Sequence, residues 1–143
     1  MIRDFEPQDT ETLVNIWRRA SALAHPFLPP DFIEAEAENL RSVYLKFAHT
    51  WVIEVEGQVV GFAAVVDQAL AGLFLDPAHH GRGFGRALVD RAVAETGPLT
   101  VEVFEHNALG RRFYTAYGFV GSDVTVHAPT GQQVLHLHMP DTG

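Results

Sequence analysis

The segment Leu73-Phe74-Leu75-Asp76-Pro77-Ala78-His79-His80-Gly81-Arg82-Gly83-Phe84-Gly85-Arg86-Ala87-Leu88 constrains the fold more than any other. An apolar run, three glycines at alternate positions and the start of a helical pattern read as a buried strand, a loop and a helix N-terminus. Without Cβ atoms at 81, 83 and 85, successive backbone N–H groups can turn toward one anion, and the unpaired N–H groups of the following helix add their dipole. Arg82 and Arg86 place mobile positive charge beside that cradle. Glycine-rich loops also serve as plain turns, so the segment marks a candidate phosphate site and does not yet choose a ligand.

What the loop lacks narrows the choice. A Walker A loop ends in Gly-Lys-Ser/Thr, and the chain contains no Gly-Lys dipeptide. The dinucleotide fingerprint Gly-x-Gly-x-x-Gly/Ala fails as well, because its last position is Arg86 counted from Gly81 and Leu88 counted from Gly83. Nucleoside triphosphates, NAD and FAD are therefore disfavoured.

Around this segment the remaining elements alternate. A strand over 1–5 is broken by Pro7-Gln8-Asp9, and Asp9 or Thr10 can cap a helix to about residue 24 with Leu13, Ile16, Trp17 and Ala20 on one face. The prolines of His25-Pro26-Phe27-Leu28-Pro29-Pro30 end it, and a helix resumes from Asp31 to about Phe47. Residues 51–55 and 59–66 read as a hairpin across Glu56-Gly57-Gln58, and 70–75 is the strand feeding the loop. A helix over 85–95 stops at Gly97-Pro98, a strand follows over 99–104, a helix over 107–117, and 119–127 with 134–139 forms a closing hairpin. Strand, loop, helix and strand make one parallel βαβ crossover, and the other pairings are antiparallel. The expected class is α/β with a mixed sheet, not a doubly wound Rossmann fold.

Composition sets outer limits. With 143 residues and 47% hydrophobic content, residues 1–143 are expected to form one domain with a real core. There is no apolar run of membrane-spanning length and no basic-then-apolar leader at Met1, so a soluble cytoplasmic protein without membrane contact is expected. The absence of cysteine excludes disulfides, thiolate zinc sites and a cysteine nucleophile. A net charge of −8 makes nucleic acid a poor partner, although two arginines can hold an anion locally because charges are screened over about 8 Å. The acidic envelope favours a cationic acceptor such as an amine, or serves solubility alone.

Two blocks resemble the GNAT N-acetyltransferase family. His80-Gly81-Arg82-Gly83-Phe84-Gly85 is similar to its acyl-CoA loop Gln/Arg-x-x-Gly-x-Gly/Ala, with His80 in place of the first residue. Asn107-Ala108-Leu109-Gly110-Arg111-Arg112-Phe113-Tyr114-Thr115-Ala116-Tyr117-Gly118-Phe119 is similar to its Asn-x-x-Ala-x-x-Phe-Tyr-x-x-x-Gly-Phe helix, with Gly110 in place of the usual alanine. Ile16-Trp17-Arg18 and His25-Pro26-Phe27-Leu28 are more loosely similar to its YjaB-like bacterial branch.

The resemblance implies a central, mostly antiparallel sheet with one splayed parallel strand pair, flanked by about four helices, and acetyl-CoA as cosubstrate. The pantetheine arm would lie between strands 70–75 and 99–104, bonded by the backbone of Phe74 and Leu75 and by Asn107, which capping explains equally well. His80, Gly81, Arg82, Gly83, Phe84, Gly85 and Arg86 would hold the diphosphate. Tyr114 would protonate the leaving thiolate, with Tyr117 as backup one turn on. An amine would attack the thioester directly, with backbone N–H groups near Phe74 and Leu75 holding the developing oxyanion. The base that takes the amine's proton is open, because residues 65–75 carry no glutamate: His25, Glu102 or water are candidates, and His25 suits the role with an ordinary pKa of about 6.5. His136 and His138 share a strand face and His79-His80 adds two imidazoles, yet no third ligand has a diagnostic spacing, so no metal is expected. His49, His106 and His127 read as surface or loop residues.

The expected activity is acetyl transfer to a primary amine, on a peptide, a protein or a small metabolite, by a monomer or homodimer. The rivals are a non-catalytic acyl-CoA sensor and a phosphate- or nucleotide-binding protein unrelated to CoA.

Overall fold

The computed structural model describes residues 1–140. Its strands are β1 (Ile2–Asp4), β2 (His49–Val55), β3 (Gln58–Val66), β4 (Ala69–Leu75), β5 (Thr100–Phe104), β6 (Val120–Val126) and β7 (Gln133–His138), and they form one sheet in the order β1-β2-β3-β4-β5-β7-β6. Helices α1 (Thr10–Ala24), α2 (Pro30–Asn39), α3 (Leu45–Phe47), α4 (Phe84–Thr96) and α5 (Ala108–Tyr117) cover its faces. Every neighbouring strand pair is antiparallel except β4 with β5. This is the mixed α/β architecture expected from the sequence.

Local chemistry sets the turns. β2 and β3 are joined by Glu56-Gly57 at φ 53° and 79°, and β3 and β4 by Asp67-Gln68 at φ 48° and 65°. Two consecutive left-handed residues give the twist that antiparallel strands need across a two-residue turn.

The helices pack in two layers. On one face Leu13, Val14, Ile16, Ala37, Leu40 and Leu45 meet Val52 and Phe62. On the other, Leu88, Val89, Ala92, Tyr114 and Phe119 meet Trp51, Ala63, Val101 and Val103. The helix expected over 31–47 is not uniform, because residues Leu40–Tyr44 form a π turn, with the Leu45 N–H donating to the Leu40 carbonyl. Five residues along an α-helix turn a side chain well away from its starting face, whereas a π turn brings Leu40 and Leu45 back into line, and both are buried.

Two irregularities shape the C-terminal half. Ala64 pairs with Gly72 while Val65 pairs with Leu70, so Ala71 is an extra residue in β4. That bulge directly follows the last residue of β4 that pairs with β5: the two strands share only Ala69 with Thr100 and Leu70 with Val101, then part. In β6 the register shifts between Val120 and Asp123, and Gly121 sits there at φ 141°.

A Cβ on Gly121 would stand 2.5 Å from the His136 carbonyl oxygen. We expect Gly121→Ala to lower the unfolding free energy by about 1–3 kcal/mol, from backbone strain and the forced contact. Denaturant titration checks this, and an unchanged midpoint would show that the shift in register does not depend on the glycine.

Candidate active site

Where β4 and β5 part, two clefts open and meet. One, of about 620 Å³, runs along the glycine loop and the N-terminus of α4 to Phe113, Arg112 and Leu109 on α5. The other, of about 720 Å³, lies over the opposite sheet face, between α2 and the strands β5, β6 and β7. His25, Leu73, Phe74, Asn107 and Tyr114 line both and form the passage between them.

The first cleft is built to take an anion. Gly81 and Gly83 have φ of 77° and 80°, and the space where their Cβ atoms would stand is open. Gly83 caps α4 without a side-chain bond, and among the described residues no backbone N–H from Gly81 to Arg86 has a protein acceptor. Gly85 serves a different end: its Cβ would stand 3.1 Å from the Phe113 ring, so it lets α4 and α5 approach. Arg86 lines the cleft, its guanidinium 4.8 Å above the Tyr117 ring and hydrogen-bonded to the Ala116 carbonyl at 3.3 Å. Arg82 is exposed and lines neither cleft, so its side chain is not part of the wall, while its backbone belongs to the cradle. The His80 Nε2–H donates to the Leu75 carbonyl at 3.2 Å, which ties the loop to the end of β4.

Tyr114 and Tyr117 diverge although they share a helix. Tyr114 is buried, its hydroxyl has no protein partner among the described residues, and burial pushes its phenol well above the ordinary value, so it stays protonated. Tyr117 points away from the passage, donating to Asp90 Oδ1 at 2.6 Å, with its phenol pushed up to about 12 by burial and by Asp90. The geometry therefore removes Tyr117 as a backup acid.

Asn107 performs the capping role. Its Oδ1 accepts from the Gly110 N–H at 2.9 Å, and its Nδ2 lies 3.1 Å from His25 Nε2. Because the oxygen is fixed by the cap, Nδ2 donates and His25 Nε2 accepts, which leaves the imidazole proton on Nδ1. Burial among Phe27 and Phe104 lowers the His25 pKa to about 4. A lone pair already engaged on so weak a base argues against His25 as the proton acceptor, despite its place in the passage.

The second cleft carries Glu36, Glu102 and Asp123, with no lysine or arginine in its wall among the described residues. Glu102 faces His136 across the β5–β7 pair, with Nδ1 and Oε1 3.4 Å apart, and His136 Nε2 lies 2.7 Å from Thr125 Oγ1. His136 and His138 thus stand on the cleft floor. His127 is no plain loop residue: its ring packs edge-on against Phe32 at 5.5 Å and Phe104 at 5.2 Å and lines the same cleft.

Sequence reasoning missed Ala20 and Ala24 of α1 and Leu109, Arg112 and Ala116 of α5 as walls of the first cleft. The α5 set follows i, i+3, i+7 spacing, so the signal was present, masked by the overlap with the residues that carry the motif.

Comparison with known proteins gives the family and the fold. Residues 46–121 match the family described as Acetyltransferase (GNAT) domain. Over 119 residues, 82% of this chain and 80% of the relative, the chain is 36% identical to peptidyl-lysine N-acetyltransferase YjaB of Escherichia coli K12. It is 29% identical over 120 residues, 83% of this chain and 82% of the relative, to peptidyl-lysine N-acetyltransferase YiaC of the same organism. The solution structure of apo YjaB from Escherichia coli superposes with a TM-score of 0.85 at 32% identity, covering 96% of this chain and 95% of that one. The PaiA N-acetyltransferase of Thermoplasma acidophilum, solved with coenzyme A, shares the fold at a TM-score of 0.78 and 18% identity, covering 95% and 96%.

The buried imidazole gives a pH signature. With a folded value near 4 against an ordinary value of 6.5, the unfolded chain takes up this proton first on acidification. Stability from this group is complete above about pH 6.5 and is lost as pH falls toward 4. The unfolding free energy of the parent relative to that of His25→Gln should therefore fall as pH drops through that window. A difference that stays constant from 6.5 to 4 would contradict the burial of a neutral His25.

Proposed function

The chain belongs to the GNAT acetyltransferase family, as an acetyl-CoA-dependent N-acetyltransferase, and on that footing we propose that its acceptor is a lysine side chain of a peptide or protein and that Tyr114 is its general acid. The observation that carries the assignment of Tyr114 is that this buried, protonated tyrosine, whose hydroxyl has no protein partner among the described residues, lines both the glycine-loop cleft and the acidic cleft.

Acetyl-CoA supplies a thioester, whose carbonyl is open to attack by an amine without a covalent enzyme intermediate. The residues of this chain hold and orient it. N–H groups from Gly81 to Arg86 and the N-terminal dipole of α4 receive the diphosphate, helped by Arg86 and Arg112 at the wall. The edge of β4 beyond Ala71, parted from β5, offers backbone groups to the pantetheine amides in the manner of an added strand. Backbone N–H groups near Phe74 and Leu75 would face the oxygen on which charge develops, and Tyr114 would give its proton to the departing sulfur, the second proton shed by the attacking nitrogen returning to its phenolate.

The second cleft fits a cation. A free lysine ammonium has a pKa of about 10.4, so only about one in a few thousand is the neutral nucleophile at pH 7. Glu36, Glu102 and Asp123 attract the charged form. With the His25 lone pair engaged, Glu102 is the group assigned to take the ammonium proton, directly or through water, because it lies on β5 within the same cleft. The relatives named peptidyl-lysine N-acetyltransferases support a peptide over a small metabolite, and a cleft of about 720 Å³ has room for one.

Tyr114→Phe should lower kcat by about 10²- to 10⁴-fold with little change in CoA affinity, read as thiol release with a lysine peptide. An unchanged kcat would remove the acid assignment. CoA binding without thiol release on any lysine peptide or amine would favour a non-catalytic acyl-CoA sensor.

A further inference from the structure

We propose that His25 is a positioning residue that aims the Asn107 carboxamide at the pantetheine arm, through a hydrogen bond that the missing side chain at Gly110 makes room for. This rests on the acetyl-CoA reading above.

Three observations converge on the carboxamide. The cap fixes its oxygen on the Gly110 N–H at 2.9 Å, so the orientation of the amide is set by the start of α5. One Nδ2 hydrogen then goes to His25 Nε2 at 3.1 Å. The second has no protein acceptor among the described residues, although Asn107 is buried and lines both clefts. Because Asn107 lines both clefts, the hydrogen that the protein leaves unpaired is available to a carbonyl of the pantetheine arm.

His25 is held so that it can act on that amide. Its backbone N–H closes α1 on the Ser21 carbonyl at 2.7 Å, and its ring stands edge-on to Phe27 at 5.7 Å and Phe104 at 5.2 Å. These contacts fix the imidazole plane and aim Nε2 across 82 residues of sequence at one donor. Gly110 completes the arrangement. A Cβ there would stand 2.5 Å from Asn107 Nδ2 and 2.9 Å from its Cγ, with Val103 Cγ2 also only 3.1 Å away, so the carboxamide would have to swing off its present line. Glycine in place of the alanine common in this block therefore matches a histidine at position 25: one vacates the space that the other's hydrogen bond requires.

The test is CoA affinity by calorimetry on the full chain, with no acceptor present. His25→Ala should weaken CoA binding by about three- to tenfold, the range of one intramolecular hydrogen bond. His25→Gln, whose amide oxygen can still accept from Asn107, should restore most of the loss. Gly110→Ala should weaken binding like His25→Ala. In an Asn107→Ala background neither change should cost anything further. Unchanged affinity in His25→Ala, equal losses in His25→Gln and His25→Ala, or losses that add fully to that of Asn107→Ala would overturn the assignment. If His25→Ala instead left affinity intact and abolished the acid limb of the kcat profile, His25 would be a base after all. Should the parent chain not bind CoA, the acetyl-CoA reading falls together with this one; if the parent binds and His25→Ala binds equally, only the role of His25 falls.

Discussion

The parting of β4 and β5 is the constraint on which the rest of the structure depends. Two parallel strands pair at Ala69 with Thr100 and Leu70 with Val101, and then leave each other inside a sheet. Unpaired backbone groups in a sheet interior are costly unless water or a ligand reaches them. The separation is tolerated because each strand keeps a partner on its other side: β4 stays on β3 to Leu75, and β5 stays on β7 to Phe104. Its direct cause is the extra residue Ala71, which re-aims β4 immediately after the last shared pair, as bulges near functional sites do. Everything used in the chemistry is reached through the opening so created.

Charge is arranged on either side of that opening and kept out of its centre. Toward the glycine loop there are unpaired N–H groups, Arg86 and Arg112; toward the opposite cleft there are Glu36, Glu102 and Asp123. Between them, burial keeps Tyr114 protonated and His25 deprotonated, so both are neutral at physiological pH. On the proposed reading, an anionic cosubstrate and a cationic acceptor would be drawn to the two mouths of a passage whose middle is apolar, where a hydrogen bond counts for more than in water. The fixed set of Asn107, Gly110 and His25 belongs to the same logic, since a neutral acceptor and a neutral donor would orient the arm without adding a charge to the reacting centre.

Features written in consecutive residues were legible in the sequence. The glycine loop, the helix behind it and the cap at Asn107 depend on neighbours a few positions apart, and their conformational demands appear directly as Gly81, Gly83 and Asn107. Roles set by distant contacts were not. Tyr117, one turn from Tyr114 and a backup by position alone, is set apart by Asp90 on α4, which claims its hydroxyl. His25 had the right ordinary pKa for a base, and only the fold brings Asn107 to its lone pair and Phe104 to its ring. His127 enters the second cleft because the β6–β7 hairpin carries it back toward Phe32 and Phe104. The bulge at Ala71 and the π turn at Leu40–Tyr44 leave no composition signal, since each is a matter of register between buried positions.

A crystal structure of the chain with coenzyme A tests the central claim most directly. The arm is predicted to lie as an extra strand between β4 and β5, with the diphosphate on the N–H groups of residues 81–86 and the sulfur within hydrogen-bonding reach of the Tyr114 hydroxyl. A diphosphate bound away from those N–H groups, or β4 and β5 zipped together with the arm outside them, would contradict the account.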